Sequence, residues 1–352
     1  MKKFLLIILA FMAAAQMADA CTSMVVSAKG SATGRPLLWK HRDTGADNNF
    51  LARVEAKGND HGYIALFNEG DSLLREAWMG MNDAGFAIMN TASYNLAPDT
   101  AKFVDQEAMV MSRALKSCTT VDDFERLLNE LPKPLGVQAN FGVIDAQGGA
   151  AYFETNDREY VRFDAEDTPH GVLVRTNFSF AGKDGAGSGY IRYNNALNLA
   201  GEAIEKECVS PWLLTEGLSR SFYHSLVGRD MYDDAFVVNQ DFIPRDISTA
   251  SIVVEGVNPG QSAKDMRMWA NLGYAPCGVT QLVTWDEIPV GFGPNDLYKS
   301  DVCEASRRLR ETTIPYEGGS GKKYIDMGKL RPINEEKKRL SLENYKKIYG
   351  DL

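Results

Sequence analysis

The chain of 352 residues is predicted to take an α+β fold of antiparallel sheets covered by helices. Three observations predict it. Short alternating apolar runs come in groups. Helical stretches come in pairs between those groups. The strict strand–helix alternation of a doubly wound parallel sheet is missing. Hydrophobic residues at 44%, charged at 24% and aromatic at 10% give the balance of a globular chain and exclude a disordered, collagen-like or multi-span membrane protein.

Five runs, Thr22–Ser27, Pro36–His41, Tyr63–Phe67, Leu73–Met79 and Phe86–Thr91, read as strands divided by Gly, Asn and Asp turns. Asp99 to Lys116 reads as a helix. Thr120 followed by Asp122, Asp123 and Glu125 reads as a capped second helix ending before Pro132. Strands return at Asn140–Asp145, Ala150–Glu154, Tyr160–Phe163 and Gly171–Thr176, with Gln147-Gly148-Gly149 as a hairpin turn. Tyr190–Lys206 and Pro211–Leu226 read as helices. Thr249–Glu255, Asp265–Ala270 and Thr280–Trp285 are the last strands of the body, before helices near Ser300–Arg310 and Asn334–Ile348. The Glu317-Gly318-Gly319-Ser320-Gly321 stretch is expected to set off residues 316–352 as a C-terminal helical appendage from a domain over 21–315.

Residues 1–20 read as a signal peptide. Lys2 and Lys3 precede the apolar run Phe4–Ala15, and Ala18-Asp19-Ala20 suits a small-residue cleavage site. The run is too short to span a bilayer, and no later stretch approaches that length. The expected location is secreted or periplasmic. The formal net charge of −9 and the lack of a basic cluster argue against nucleic acid as a partner.

Five cysteines are present, Cys21, Cys118, Cys208, Cys277 and Cys303, with no C-x-x-C pair. In oxidising space four could pair, or remain as buried thiols; the sequence leaves both open. His41, His61, His170 and His224 show no ligand spacing, so packing or surface roles are expected, with no metal and no cofactor.

Cleavage after Ala20 would make Cys21 the first residue, bearing a thiol and a free α-amine on one residue. An α-amine has a pKa near 8, so its neutral fraction can act as general base on its own side chain. Two other readings stand beside this one: a disulfide partner, or the acylated cysteine of a surface lipoprotein that binds a ligand without chemistry. Asp19 fits a lipidation signal poorly. The strand Cys21–Val26, a turn, and the strand Leu37–Asp43 would form a hairpin whose far end returns beside Cys21. Lys40 or Arg42 would then place a cation near the thiol, and Asp43 could orient the amine.

This constellation resembles the N-terminal-nucleophile hydrolases of the linear amide group. These include the choloylglycine hydrolase/penicillin V acylase family, the acyl-CoA:6-aminopenicillanate acyltransferases and the cysteine dipeptidases. The resemblance is carried by Cys21-Thr22-Ser23 and by Lys40-His41-Arg42-Asp43, a basic residue three places before an Asp. It extends to Trp78–Phe86 leading to Asn90, to Phe141–Asp145, to Gly171–Phe178 with Asn177, and to Ser248–Ser251, and it fades after about Glu255. Bile-salt-type members carry an Arg after the last motif, where this chain has Ile252.

The resemblance implies a four-layer αββα sandwich and cleavage of a linear amide in a small molecule through a Cys21 thioester. Lys40, Asp43, Asn90 and Asn177 are the supporting site residues, the two Asn as oxyanion donors, and acyl transfer is a possible variant. Acyl and amine specificity and oligomeric state are not legible, since pockets in such folds are built from loops.

Overall fold

A computed structural model describes residues 20–96, 105–317 and 323–350. The expected leader therefore lies outside the described residues except for Ala20. So do the start of the helix expected from Asp99 and the Gly-rich stretch after Glu317.

Two antiparallel sheets form the body. The first has six strands: β1 (Thr22–Val26), β2 (Leu37–Asp43), β10 (Val172–Arg175), β14 (Ser248–Glu255), β15 (Arg267–Leu272) and β16 (Gln281–Thr284), in the order β10-β1-β2-β14-β15-β16. The second is a seven-stranded meander in chain order: β3 (Asn49–Val54), β4 (Tyr63–Asn68), β5 (Met79–Asn82), β6 (Ala87–Ala92), β7 (Ala139–Ile144), β8 (Ala150–Thr155) and β9 (Tyr160–Asp164). Smaller ladders join β11 (Tyr223–His224) to β12 (Arg229–Asp230), and β13 (Phe236–Val238) to β17 (Tyr316–Glu317) and β18 (Lys323–Asp326).

The pleat decides what faces what, because successive side chains point to opposite sides of a strand. On β1, Val25 faces the second sheet and joins its core with Leu38 of β2, while Met24 and Val26 face outward with Leu37 and Trp39. The sheets approach closely at Gly142 of β7, where an added Cβ would meet Met89 Cε at 2.4 Å and Val25 Cγ2 at 3.0 Å.

Helices α1 (Glu107–Ser117) and α2 (Val121–Glu130) cover the outer face of the meander through Met111, Leu115, Phe124 and Leu128. Thr120 caps α2 in a reciprocal capping box with Asp123. Helices α3 (Tyr190–Glu205) and α5 (Met327–Tyr349) cover the six-stranded sheet through Ala196, Ala200 and Tyr345, and α4 (Asp301–Thr313) packs beside α5. The result is the four-layer αββα sandwich implied by the resemblance.

Several boundaries differ from the sequence reading. The strand expected at Leu73 begins only at Met79, because the Asp71 carboxylate accepts the N–H groups of Arg75 and Glu76 and closes a turn. The helix expected over Pro211–Leu226 is reduced to a π-helical turn, Leu213–Gly217, and a 3-10 turn, Leu218–Arg220. Buried polar ties stop it there: Glu216 pairs with Arg220, and Ser219 Oγ lies 2.7 Å from Ser251 Oγ. Strand β3 gave no recognised signal.

The segment read as a C-terminal appendage packs into the body. Tyr345 of α5 is fully buried and stacks on Trp269 with ring centroids 3.9 Å apart, and Ile325 and Met327 join Phe222 and Phe242.

Candidate active site

Register brings the site together. Thr22 stands opposite His41 and Ser23 opposite Lys40, so the end of β2 lies beside Cys21, as the hairpin predicted. Alternation along β2 then sorts the side chains. Lys40 and Arg42 share the Leu38 side between the sheets, and His41 and Asp43 share the Trp39 side under α3.

A cleft of about 890 Å³ opens at this end of the sandwich. Cys21, Lys40, Arg42, Asp43, Trp78 and Asn90 line it, so four of the five expected site residues, Cys21 among them, meet there. Lys40 Nζ donates to Asn90 Oδ1 at 2.6 Å and to the Trp78 carbonyl at 2.9 Å. Arg42 donates to Asn49 Oδ1 and lies 4.8 Å over the Trp78 ring. The choice between Lys40 and Arg42 thus takes a geometric form: Lys40 holds Asn90, and Arg42 backs the indole.

The fifth residue, Asn177, is fully buried and differently engaged. Its Nδ2 donates to the Ala92 carbonyl at 2.9 Å, and its Oδ1 accepts from Arg192 Nη2 at 2.6 Å. Arg192 ties it to the Cys21 strand, since Arg192 Nη1 donates to the Cys21 carbonyl at 2.6 Å and to Thr22 Oγ1 at 3.0 Å. Burial pulls the Arg192 pKa down to about 10, which still leaves it charged at neutral pH.

Asp43 is held by groups the sequence did not single out. Its Oδ2 accepts from Arg245 Nε at 2.9 Å and Nη2 at 2.7 Å, and its Oδ1 accepts from Ser248 Oγ at 2.5 Å. His41 Nε2 lies 3.0 Å from Ser248 Oγ. Burial, partly opposed by Asp43, drops the His41 pKa to about 4, so the ring is neutral under ordinary conditions. In the intact chain the Cys21 nitrogen is an amide, and Ala20 continues the strand, its N–H donating to the Asp43 carbonyl at 3.1 Å. Cys21 Sγ approaches that same carbonyl at 3.9 Å.

The loop after β10 is locked as well. Glu154 accepts from Arg175 Nε at 2.6 Å and from the backbone N–H groups of Phe180 and Ala181. At Ile252, where an Arg would mark bile-salt-type relatives, the side chain is buried in the apolar core.

None of the five cysteines is bridged to another. Burial pushes the thiols of Cys118 and Cys303 up to about 11 and that of Cys277 up to about 12, so these three are packing groups. Among the described residues no helix is long and apolar enough to cross a membrane, and no group of three His, Cys, Asp or Glu side chains could hold a metal ion.

Residues 48–188 match the family model of acyl-coenzyme A:6-aminopenicillanic acid acyl-transferase, one of the linear-amide groups the sequence resembles. The matched stretch contains Asn90 and Asn177 and begins after Cys21, Lys40 and Asp43. Among solved structures the chain is similar to conjugated bile acid hydrolase from Clostridium perfringens, at 10% identity and a TM-score of 0.48, covering 76% of this chain and 93% of that one. It is also similar to penicillin V acylase from Agrobacterium tumefaciens, at 12% identity and a TM-score of 0.41, covering 76% and 87%. A third is the Caenorhabditis elegans orthologue of N-acylethanolamine-hydrolyzing acid amidase, at 11% identity and a TM-score of 0.39, covering 67% and 92%. No curated protein sequence matches the chain.

Proposed function

We propose that this chain, a relative of the linear-amide N-terminal-nucleophile hydrolases, is an exported amidohydrolase that uses Cys21 as nucleophile. Removal of residues 1–20 converts the Cys21 amide into an α-amine. That amine takes the thiol proton, and Sγ attacks the carbonyl of a linear amide. The tetrahedral oxyanion is met by Asn90: Lys40 occupies its Oδ1, and Nδ2 carries the donors of that side chain. The protonated amine leaves and a thioester remains. Water hydrolyses it, or an acceptor amine takes the acyl group.

The carrying observation is the meeting of Cys21, Lys40, Asp43 and Asn90 in one cleft. Asp19 between Ala18 and Ala20 fits a lipidation signal poorly, which disfavours the lipid-anchored alternative.

The test is a screen of N-acyl amino acids, dipeptides, bile conjugates and β-lactam side-chain amides with the exported protein beside Cys21→Ser. Turnover by wild type and its loss in a folded Cys21→Ser protein are expected. Near-wild-type turnover by that variant would reject the scheme.

A further inference from the structure

We propose that Ser248, His41 and Arg245 are positioning residues, which fix the Asp43 carboxylate so that it can orient the freed Cys21 α-amine. The inference rests on the reading of Cys21 as an N-terminal nucleophile.

The backbone prepares this arrangement. Strand β14 pairs with β2 in register from Ala250 onward, but Ser248 stands opposite Asp43 and Ala250 opposite Arg42, so Thr249 is an extra residue in the ladder. Such a bulge re-aims the side chain beside it. Here it turns Ser248 Oγ onto Asp43 Oδ1 at 2.5 Å. Ser248 Oγ also accepts the Arg245 backbone N–H at 2.8 Å.

Ser248 commits its only proton to Asp43, so the neutral His41 ring must donate from Nε2 at 3.0 Å. That tautomer leaves Nδ1 bare, which agrees with its having no hydrogen-bond partner. Arg245 closes the other side of the carboxylate with two bonds to Oδ2, and its Nη2 reaches the Ala20 carbonyl at 3.4 Å. Both carboxylate oxygens are therefore pinned, on the residue whose own carbonyl touches Ala20 N and Cys21 Sγ.

The charged groups facing this cluster are Arg192 from α3, Arg245 itself, and Asp241 and Asp246 acting on Arg245 from its loop. A packing role would require only shape at position 248; a positioning role requires the hydroxyl.

The experiment compares exported wild type with Ser248→Ala, Ser248→Thr, Asp43→Asn and the double variant Asp43→Asn/Ser248→Ala. It reads amide turnover and the rate of Cys21 alkylation by iodoacetamide from about pH 5 to about pH 9. Ser248→Ala is expected to lose about 10–100-fold in kcat with KM little changed, the scale of a misplaced catalytic group. Ser248→Thr keeps the hydroxyl and should stay near wild type.

An ammonium that loses a well-placed carboxylate holds its proton less tightly, so the acid limb should move to lower pH in Ser248→Ala and in Asp43→Asn alike. In the double variant the second change should cost nothing further. Should Ser248→Ala fail to fold, His41→Phe removes the donor at similar volume and should move the limb the same way. An unshifted limb in these variants, or losses that multiply in the double variant, would overturn the proposal. A wild type inert toward every amide but with the alkylation limb shifting as described would reject the functional reading and leave this inference standing.

Discussion

Replacing Arg192 with Met should weaken both the fold and the catalyst. The guanidinium is fully buried and serves three acceptors: the Cys21 carbonyl at 2.6 Å, Thr22 Oγ1 at 3.0 Å and Asn177 Oδ1 at 2.6 Å. Methionine fills the stem volume and supplies no donor. The Thr22 hydroxyl can turn elsewhere, but two buried carbonyl oxygens each lose a charged donor, at about 1–3 kcal/mol each. The recovered solvation of a buried cation offsets part of this, so a net loss of about 2–4 kcal/mol is expected. Because one of these carbonyls belongs to Cys21, the proposed nucleophile, turnover should also fall about 100-fold. Arg192→Lys should recover only part of either quantity, since one ammonium cannot span three acceptors in the geometry of a planar fork. Urea unfolding followed by circular dichroism gives the stability and initial rates give the activity. A variant within about 1 kcal/mol of wild type and with unchanged turnover would refute the view that α3 anchors the nucleophile strand.

Asn90→Ala should lower kcat by about 100–1,000-fold, the usual effect of removing one oxyanion donor, as measured by steady-state kinetics. Glu107 lines the same cleft, and burial, with a hydrogen bond that its protonated carboxyl donates to Asp105, raises its pKa well above the ordinary carboxylate value. The folded state therefore holds that proton more tightly than the unfolded chain, and the stability it contributes is present at low pH and lost as pH rises through the raised value. Glu107→Gln mimics the protonated form, so its urea midpoint should exceed that of wild type in mildly alkaline buffer and converge with it near pH 4.5. Tyr345→Ala should destabilise by about 3–5 kcal/mol through loss of the Trp269 stack, read by urea unfolding; a smaller effect would mean that α5 is loosely docked.

How far the sequence led depends on whether a signal is local. The Thr120–Asp123 capping box, the Cys21–Asp43 hairpin and the alternation of β7 and β8 are written in adjacent residues, and the structure has them. Cys21, Lys40, Asp43 and Asn90 were legible because a single hairpin and one neighbouring strand carry them. Arg192 and Arg245 were not, since each reaches its partner across well over a hundred residues, and nothing near either marks it. Ser248 is legible in the sequence as part of a strand start, but its aim at Asp43 follows from a bulge that appears only once β14 is paired. A surface or packing role, the expectation for His41, leaves out its polar edge, which is buried against Ser248. The helix expected after Pro211 was lost to buried Glu216 and Ser219 contacts that no periodicity reveals.

Whether the Cys21 nitrogen is a free amine in the active protein decides the proposed chemistry. Intact-mass and peptide-map analysis of protein quenched during turnover should show a chain beginning at Cys21, with its α-nitrogen unmodified and an acyl group on its sulfur. A chain that begins at another residue, or a Cys21 nitrogen found blocked by an acyl or peptide bond in the active protein, would contradict it.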